Sequence, residues 1–296
     1  MGTVTKVAVI DVGSNTVRLL IASVGARSLT ALVERKAWLQ LGADVALRGS
    51  ISEMKLAAAA RAVTAFAAEA HGNGCQRLEV LVASPGRQAE NGDELLARLE
   101  DAAASVRVLS REEEASIAFL GATAGHSGAE RIAIVDVGGG STQLAVGFPD
   151  SVPEWVCSLD VGSIRLAAGA FGTDPPGKQG IRKSKQLLQE HFAGFAPPTA
   201  QRLLAVGGSA RALFRLARSP SLDADQLRWL TRLLRKSPSS LLASRYGIAR
   251  ERSRNLAAGA VILAEVQKQL GLSLLAAHGG LREGAALMLA TEKPAA

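Results

Sequence analysis

Short apolar runs, each broken by a glycine, an acid or a polar turn, alternate along this chain with longer segments of helical period. The first is 7–10, Val-Ala-Val-Ile, which reads as a buried strand ending at Asp11 and a turn of Gly13, Ser14 and Asn15. A second apolar run to Ile21 follows at once, so the pair is a tight hairpin, and 30–39 reads as a further strand completing an antiparallel meander. Residues 42–49 read as a loop. Ser52 then caps an alanine-rich helix over 53–71. Strands at 78–83 and 106–109 flank a helix over 94–104, and the first of them opens onto Ser84-Pro85-Gly86-Arg87. Ser110 and Glu113 form a capping-box pattern that starts another helix. This alternation describes an α/β lobe.

After a polar gap at 125–130 the pattern starts again. Ile132–Val135 is an apolar run that ends in Asp136, followed by Gly138, Gly139, Gly140, Ser141 and Thr142, and a second strand through Leu144 and Val146. Superposing Asp11 on Asp136 places Gly13 on Gly138 and Arg18 on Gln143, an offset of 125 residues. Glycines let backbone N–H groups approach an anion closely, and the Ser14, Asn15, Thr16, Ser141 and Thr142 side chains add polar groups to the turns. Two equivalent anion-binding hairpins, each opening one half of the chain, predict a duplicated two-lobed fold with the ligand between the lobes. The expected lobes are 1–124 and 125–296, with the C-terminal helix 284–293 a candidate to pack back on the first. The second half continues with a strand at 156–160, a helix at 163–171, and a turn-rich loop at 172–180. A basic helix carrying Arg182, Lys183 and Lys185 comes next. A strand at 203–206 then ends in a third glycine turn, Gly207, Gly208 and Ser209, with a helix behind it. Helices over 222–237 and 252–270, a strand at 274–277 and a glycine turn at 279–284 lead into the last helix, and the residues after Thr291 read as a frayed tail.

Composition narrows the function classes. Hydrophobic content of 48% and charged content of 21% suit a globular protein with an ordinary core. The net charge of +7 fits a polyanionic partner, while the few aromatic residues, with Tyr246 the only tyrosine, argue against single-strand nucleic-acid binding by stacking. Cys75 and Cys157 stand apart without metal spacing and read as reduced thiols of a cytoplasmic protein. No apolar stretch is long enough for a transmembrane helix, and the N-terminus runs into the first strand without a signal-peptide pattern.

Where the bound anion is a phosphoryl group, chemistry on it needs charge neutralisation and, for hydrolysis, a positioned water with a base beside it. The hairpins supply the first requirement. Glu112, Glu113 and Glu114 compete for the second, fanned over different faces of one helix. Asp11 and Asp136, at strand ends facing an anion site, are candidate ligands for Mg²⁺. Arg18, on the strand after the first turn, is a candidate phosphate or nucleotide contact.

Six segments together resemble the exopolyphosphatase/guanosine pentaphosphatase (Ppx/GppA) family. They are IDVGSNTVRLLI (10–21), SREEEASIAFLGA (110–122), IVDVGGGSTQLAVG (134–147), LLAVGGSARAL (203–213), RNLAAGAVIL (254–263) and GGLREGAAL (279–287). The resemblance covers essentially the whole chain, in the short form without extra C-terminal helical domains. It implies a duplicated actin-like ATPase (ribonuclease H-like) fold with mixed sheets and an interdomain cleft. It further implies Glu114 as general base, Arg87 as a phosphate contact, and Gly207, Gly208 and Ser209 as a phosphate- or nucleotide-side loop. Mg²⁺, or Mn²⁺ in its place, is the implied cofactor and a homodimer the implied assembly. Two places depart from the pattern: Ser84-Pro85-Gly86-Arg87 stands for the family's Thr/Ser-x-Ala-hydrophobic-Arg run, and, as the main departure, the family carries Glu where this chain has Gln143, which keeps the shape and loses the charge. Three readings follow: an exopolyphosphatase, a guanosine pentaphosphate phosphohydrolase at the same site, and a non-catalytic sensor of polyphosphate or guanosine penta/tetraphosphate. A sugar or acetate kinase fits less well, since the chain is short for one.

Overall fold

A computed structural model of the chain describes residues 4–25, 28–103 and 105–291. They fall into two compact units: one takes the chain to His126 and resumes at Gly279, and the other is Ser127–His278. The tail expected after Thr291 lies outside the described residues.

The first unit opens with β1 (Thr5–Val12), β2 (Thr16–Gly25) and β3 (Ser28–Trp38), followed by α1 (Leu41–Arg48), α2 (Glu53–Gly72) and β4 (Arg77–Val82). Then come α3 (Ser84–Gln88), α4 (Gly92–Glu100), β5 (Val106–Val108) and α5 (Arg111–Thr123). The second unit holds β6 (Ile132–Val137), β7 (Thr142–Gly147), β8 (Trp155–Leu159), α6 (Ser163–Ala170), α7 (Gly177–His191) and β9 (Arg202–Val206). It continues with α8 (Gly207–Ala217), β10 (Ser221–Leu222), α9 (Ala224–Leu234), α10 (Ser239–Tyr246), α11 (Arg250–Ser253), α12 (Leu256–Leu270) and β11 (Leu274–Ala276). The last helix, α13 (Leu281–Thr291), belongs to the first unit. No described helix is long and apolar enough to cross a membrane.

The duplication read from the two hairpins extends to the sheets. Sheet order is β3-β2-β1-β4-β5 in the first unit and β10-β11-β9-β6-β7-β8 in the second. In each, an antiparallel meander is followed by strands parallel to its first member: β1 with β4 and β5, β6 with β9 and β11. The register repeats the 125-residue step across the hairpin and the strand parallel to its first member. Asp11 lies opposite Arg18 and Leu81, while Asp136 lies opposite Gln143 and Val206.

Strand β1 is buried on both faces because helices cover both sides of its sheet. Ala8, Ile10 and Val12 pack toward Leu56, Ala59 and Val63 of α2 and Leu95 of α4. Val7 and Val9 pack toward Ile117 of α5 and Ala285 and Leu289 of α13. Helices α5 and α13 cross through glycine. A Cβ on Gly284 would stand 1.9 Å from the Ile117 carbonyl oxygen, and one on Gly121 2.0 Å from that of Gly280. The GGLREG segment is therefore a helix-crossing device that holds the helix bearing Glu114. Its Arg282 is buried, with Nη1 on the Leu19 carbonyl (3.3 Å) and Nη2 near Glu34 (3.2 Å) and Glu283 (3.4 Å). In the second unit the central helix is α12, apolar and buried nearly all round from Leu256 to Leu263.

Two local expectations are corrected, and the segment after β4 takes a definite form. Residues 42–49 were expected as a loop and form α1. Gly42 is there because a Cβ would stand 2.7 Å from that of Ser14, so the glycine marks a close approach and not a turn. Ser84-Pro85-Gly86-Arg87 is the short helix α3, with proline in its first turn where no N–H partner is needed. The helix expected over 252–270 is broken into α11 and α12, because Asn255 leaves helical geometry (φ −110°, ψ 3°) and its carbonyl starts α12 at Gly259.

Asp44 ties α1 to the start of α2. Burial pushes its carboxyl up, but Lys55 (2.8 Å) and the Ser52 hydroxyl and N–H outweigh this and hold it at about 2. Stability from this group is therefore full above the unfolded value of 3.8 and is lost as pH falls towards 2. Asp44→Asn should cost about 2 kcal/mol at pH 7 in urea unfolding and progressively less below pH 4, approaching no cost near pH 2.

Candidate functional site

In each unit the hairpin turn closes by the same bond, Gly13 N–H to the Thr16 carbonyl (3.0 Å) and Gly138 N–H to that of Ser141 (3.0 Å). In each, the carbonyls of the turn are taken up from behind. Gly42 N–H donates to Ser14 (2.8 Å), and Leu39 and Gln40 N–H donate to Asn15 (3.2 and 3.0 Å). In the second unit, Ser163 N–H and Oγ donate to Gly138 (2.9 and 3.1 Å), and Ile164 N–H donates to Gly139 (2.9 Å). Carbonyls occupied in this way no longer oppose an anion beside the turn. Gly162 makes the arrangement possible, since a Cβ there would stand 2.4 Å from the Gly139 carbonyl carbon.

In the first unit, Ser14, Asn15 and Thr16 are all buried in the turn. Ser14 Oγ shares a 2.7 Å hydrogen bond with Ser84 Oγ, which joins the hairpin to α3. Asn15 Oδ1 is buried, and among the described residues no donor reaches it. From the same α3, Arg87 donates to Glu114 Oε2 (2.6 Å) and to the Leu109 carbonyl (2.6 Å). Arg87, expected as a phosphate contact, thus spends two N–H groups within the protein.

The competing glutamates of α5 are separated by geometry. Glu113 closes the capping box on Ser110 and pairs with Arg107 (2.7 Å), and the Ser110 N–H holds its carboxyl below the ordinary value despite partial burial. Glu112 is exposed. Glu114 is 8% exposed and is the one turned into the unit.

Asp11, expected as a metal ligand, has the guanidinium groups of Arg18 and Arg282 as electrostatic neighbours. Burial nonetheless pushes its carboxyl above the ordinary value, helped by Glu283.

The second unit gathers more of its expected residues. Asp136 ends β6 opposite Gln143 on β7, with the third glycine turn beside it. Gly207 has φ +87°, and a Cβ there would stand 2.5 Å from Asp136 Oδ1, so a glycine keeps the space around the carboxylate clear. Gln143 is buried, its Nε2 donating to Ser141 Oγ (2.8 Å) and near Ser158 Oγ (3.4 Å). Its Oε1 is thereby oriented as an acceptor. A hard oxygen set of one carboxylate and one amide, completed by water and phosphate, suits Mg²⁺. Thr142 is committed elsewhere, its buried hydroxyl donating to the Val161 carbonyl (2.5 Å).

Three residues without a local sequence signal join this group. Arg252 lies over the third glycine turn, where a Cβ on Gly208 would stand 2.3 Å from its Cζ, and its Nη1 approaches Ser209 Oγ (3.5 Å). Ser158 and Ser163 arrive from β8 and α6. Gly259 of α12 packs on Ser209, with a Cβ there 3.0 Å from that of the serine, which accounts for the glycine in RNLAAGAVIL.

Comparison with known proteins agrees with this architecture. The family model described as "Ppx/GppA phosphatase family" matches residues 20–292. Exopolyphosphatase 1 of Mycobacterium bovis is 29% identical over 302 residues, covering 94% of this chain and 86% of its own. Exopolyphosphatase 2 of Mycobacterium tuberculosis is 32% identical over 200 residues, covering 64% of this chain; the match spans 62% of that relative's length. Among solved structures, the Aquifex aeolicus member of the Ppx/GppA family superposes with a TM-score of 0.83 at 23% identity, over 99% of this chain and 100% of that one. An exopolyphosphatase from Cytophaga hutchinsonii gives 0.84 at 21% identity, over 98% and 99%.

Proposed function

This chain belongs to the Ppx/GppA phosphatase family, and from that premise we propose that it is an exopolyphosphatase, releasing orthophosphate from the end of inorganic polyphosphate. The observation that carries the reading is the duplicated hairpin, each copy closed by the same bond and with its turn carbonyls taken up by neighbouring backbone N–H groups. The turn of each unit is an anion-binding element, built on Ser14 and Asn15 in the first and on Gly139, Gly140 and Ser141 in the second. Gly207, Gly208 and Ser209, with Arg252, hold a neighbouring phosphate. Arg18 is a further phosphate contact on β2. Glu114 takes the proton of the attacking water as general base, and Gln143, opposite Asp136, offers its Oε1 as an acceptor in the second unit. Asp136 would hold a divalent cation, Mg²⁺ or Mn²⁺, which when bound neutralises charge on the phosphoryl oxygens. The extended negative chain is matched by the protein's net charge of +7.

Rates on long-chain polyphosphate and on guanosine pentaphosphate, measured side by side on one preparation, test the substrate. Polyphosphate is expected to be turned over faster; faster pentaphosphate hydrolysis would move the reading to the nucleotide.

Gln143 supports a second reading, a sensor that binds the same anions without turnover, because an amide adds no charge for the cation. Gln143→Glu places a second carboxylate opposite Asp136, and the Ser141 and Ser158 hydroxyls can donate to it. The variant should bind Mg²⁺ about tenfold more tightly by calorimetry. Unchanged affinity would remove position 143 from the cation site.

A further inference from the structure

We propose that Arg87 is a positioning residue that fixes Glu114, and that it does not hold substrate phosphate. The inference rests on the hydrolase reading above and concerns how its base is held. The Arg87 side chain is 16% exposed and its guanidinium is bound on two sides: Nη2 to Glu114 Oε2 at 2.6 Å, Nη1 to the Leu109 carbonyl at 2.6 Å. Leu109 immediately precedes Ser110, the N-cap of α5, and Glu114 stands in the first turn of that helix. The arginine therefore grips both the entry to α5 and the carboxylate that α5 carries.

The mount of this clamp is itself rigid. Helix α3 is fastened to the hairpin by the Ser84–Ser14 hydroxyl pair, and to α4 where a Cβ on Gly92 would stand 2.3 Å from the Gly86 carbonyl oxygen. Close packing on both sides leaves Arg87 little freedom to swing away. A guanidinium suits the task because its planar fork serves two acceptors at once, whereas an ammonium on a flexible stem holds one geometry poorly. A buried carboxylate also loses the hydration that favours its charged form, and a bonded guanidinium replaces it. Neither neighbouring glutamate competes, since Glu113 is engaged by Arg107 and Ser110, and Glu112 is exposed.

Steady-state kinetics on polyphosphate with the full chain separate the two roles. Arg87→Met, Arg87→Lys and Glu114→Gln are compared with Arg87→Met/Glu114→Gln, and circular dichroism melts confirm folding. If Arg87→Met does not fold, Arg87→Lys carries the comparison. For a positioning residue, kcat of Arg87→Met falls about 10- to 100-fold with KM changed less than about twofold. Arg87→Lys recovers part of the loss. In the Glu114→Gln background the arginine substitution then costs nothing further in kcat, since the group it positioned is gone. A KM raised about tenfold with kcat retained would identify a phosphate contact and overturn the proposal. An undiminished loss in the Glu114→Gln background would overturn it as well. A wild-type chain that releases no phosphate sinks the hydrolase reading first, and this inference falls with it.

Discussion

Glu114→Gln should reduce phosphate release from polyphosphate by about 10²- to 10⁴-fold while leaving polyphosphate binding within about threefold of the unmodified chain. The substitution keeps size and shape, and the amide oxygen can still accept from Arg87, whose N–H to Oε2 measures 2.6 Å. What it removes is the capacity to take a proton at neutral pH. The same substitution at Glu113 should leave turnover nearly unchanged and instead weaken the start of α5, because that side chain closes the capping box. A capping-box loss is worth about 1 kcal/mol, visible as a small drop in Tm. Equal effects at the two positions would mean that the burial of Glu114 serves packing and has no part in chemistry.

Gly284→Ala carries the second large effect. The new methyl would stand 1.9 Å from the Ile117 carbonyl oxygen and 3.0 Å from the Gly121 amide nitrogen, all of it backbone with no rotamer to turn aside. Helices α5 and α13 must separate to admit it. The expected cost is about 3 kcal/mol, or about 5–10 °C in Tm for a unit of this size. Because α5 carries Glu114, kcat should fall in the fraction that remains folded. Gly72→Ala is the control: it ends α2 with nothing within 4 Å of its Cβ, and it should be neutral or slightly stabilising. A Gly284→Ala protein as stable as that control would show that the helices have room to spare.

Much of this was legible in the sequence because the duplication is local and periodic. The Asp-x-Gly turns announce themselves, and the 125-residue offset drawn from them matches the register of each hairpin and of the parallel strand beside it, at Leu81 and Val206. Capping at Ser110 is equally local. What could not be read falls into two kinds. Glycines are ambiguous: Gly42 looks like a loop residue but marks where α1 presses on Ser14, and Gly121 and Gly284 show their purpose only once two distant helices cross. Long-range partners leave no spacing to read. Arg252 reaches the Gly208 turn from a separate helix 44 positions on, and Arg87 looks like any arginine after a turn until Glu114 is found beside it. Three consecutive glutamates likewise look alike until the helix turns one of them inward.

The central claim is that the chain cleaves the anion its hairpins bind, and phosphate release from long-chain polyphosphate tests it directly. The purified, unmodified chain is incubated with Mg²⁺ and substrate, and free orthophosphate is followed over time alongside binding in the same buffer. Steady release of orthophosphate, with turnover continuing past one phosphate per protein, is the predicted result. Tight binding with no release would contradict it and leave a sensor in place of a hydrolase.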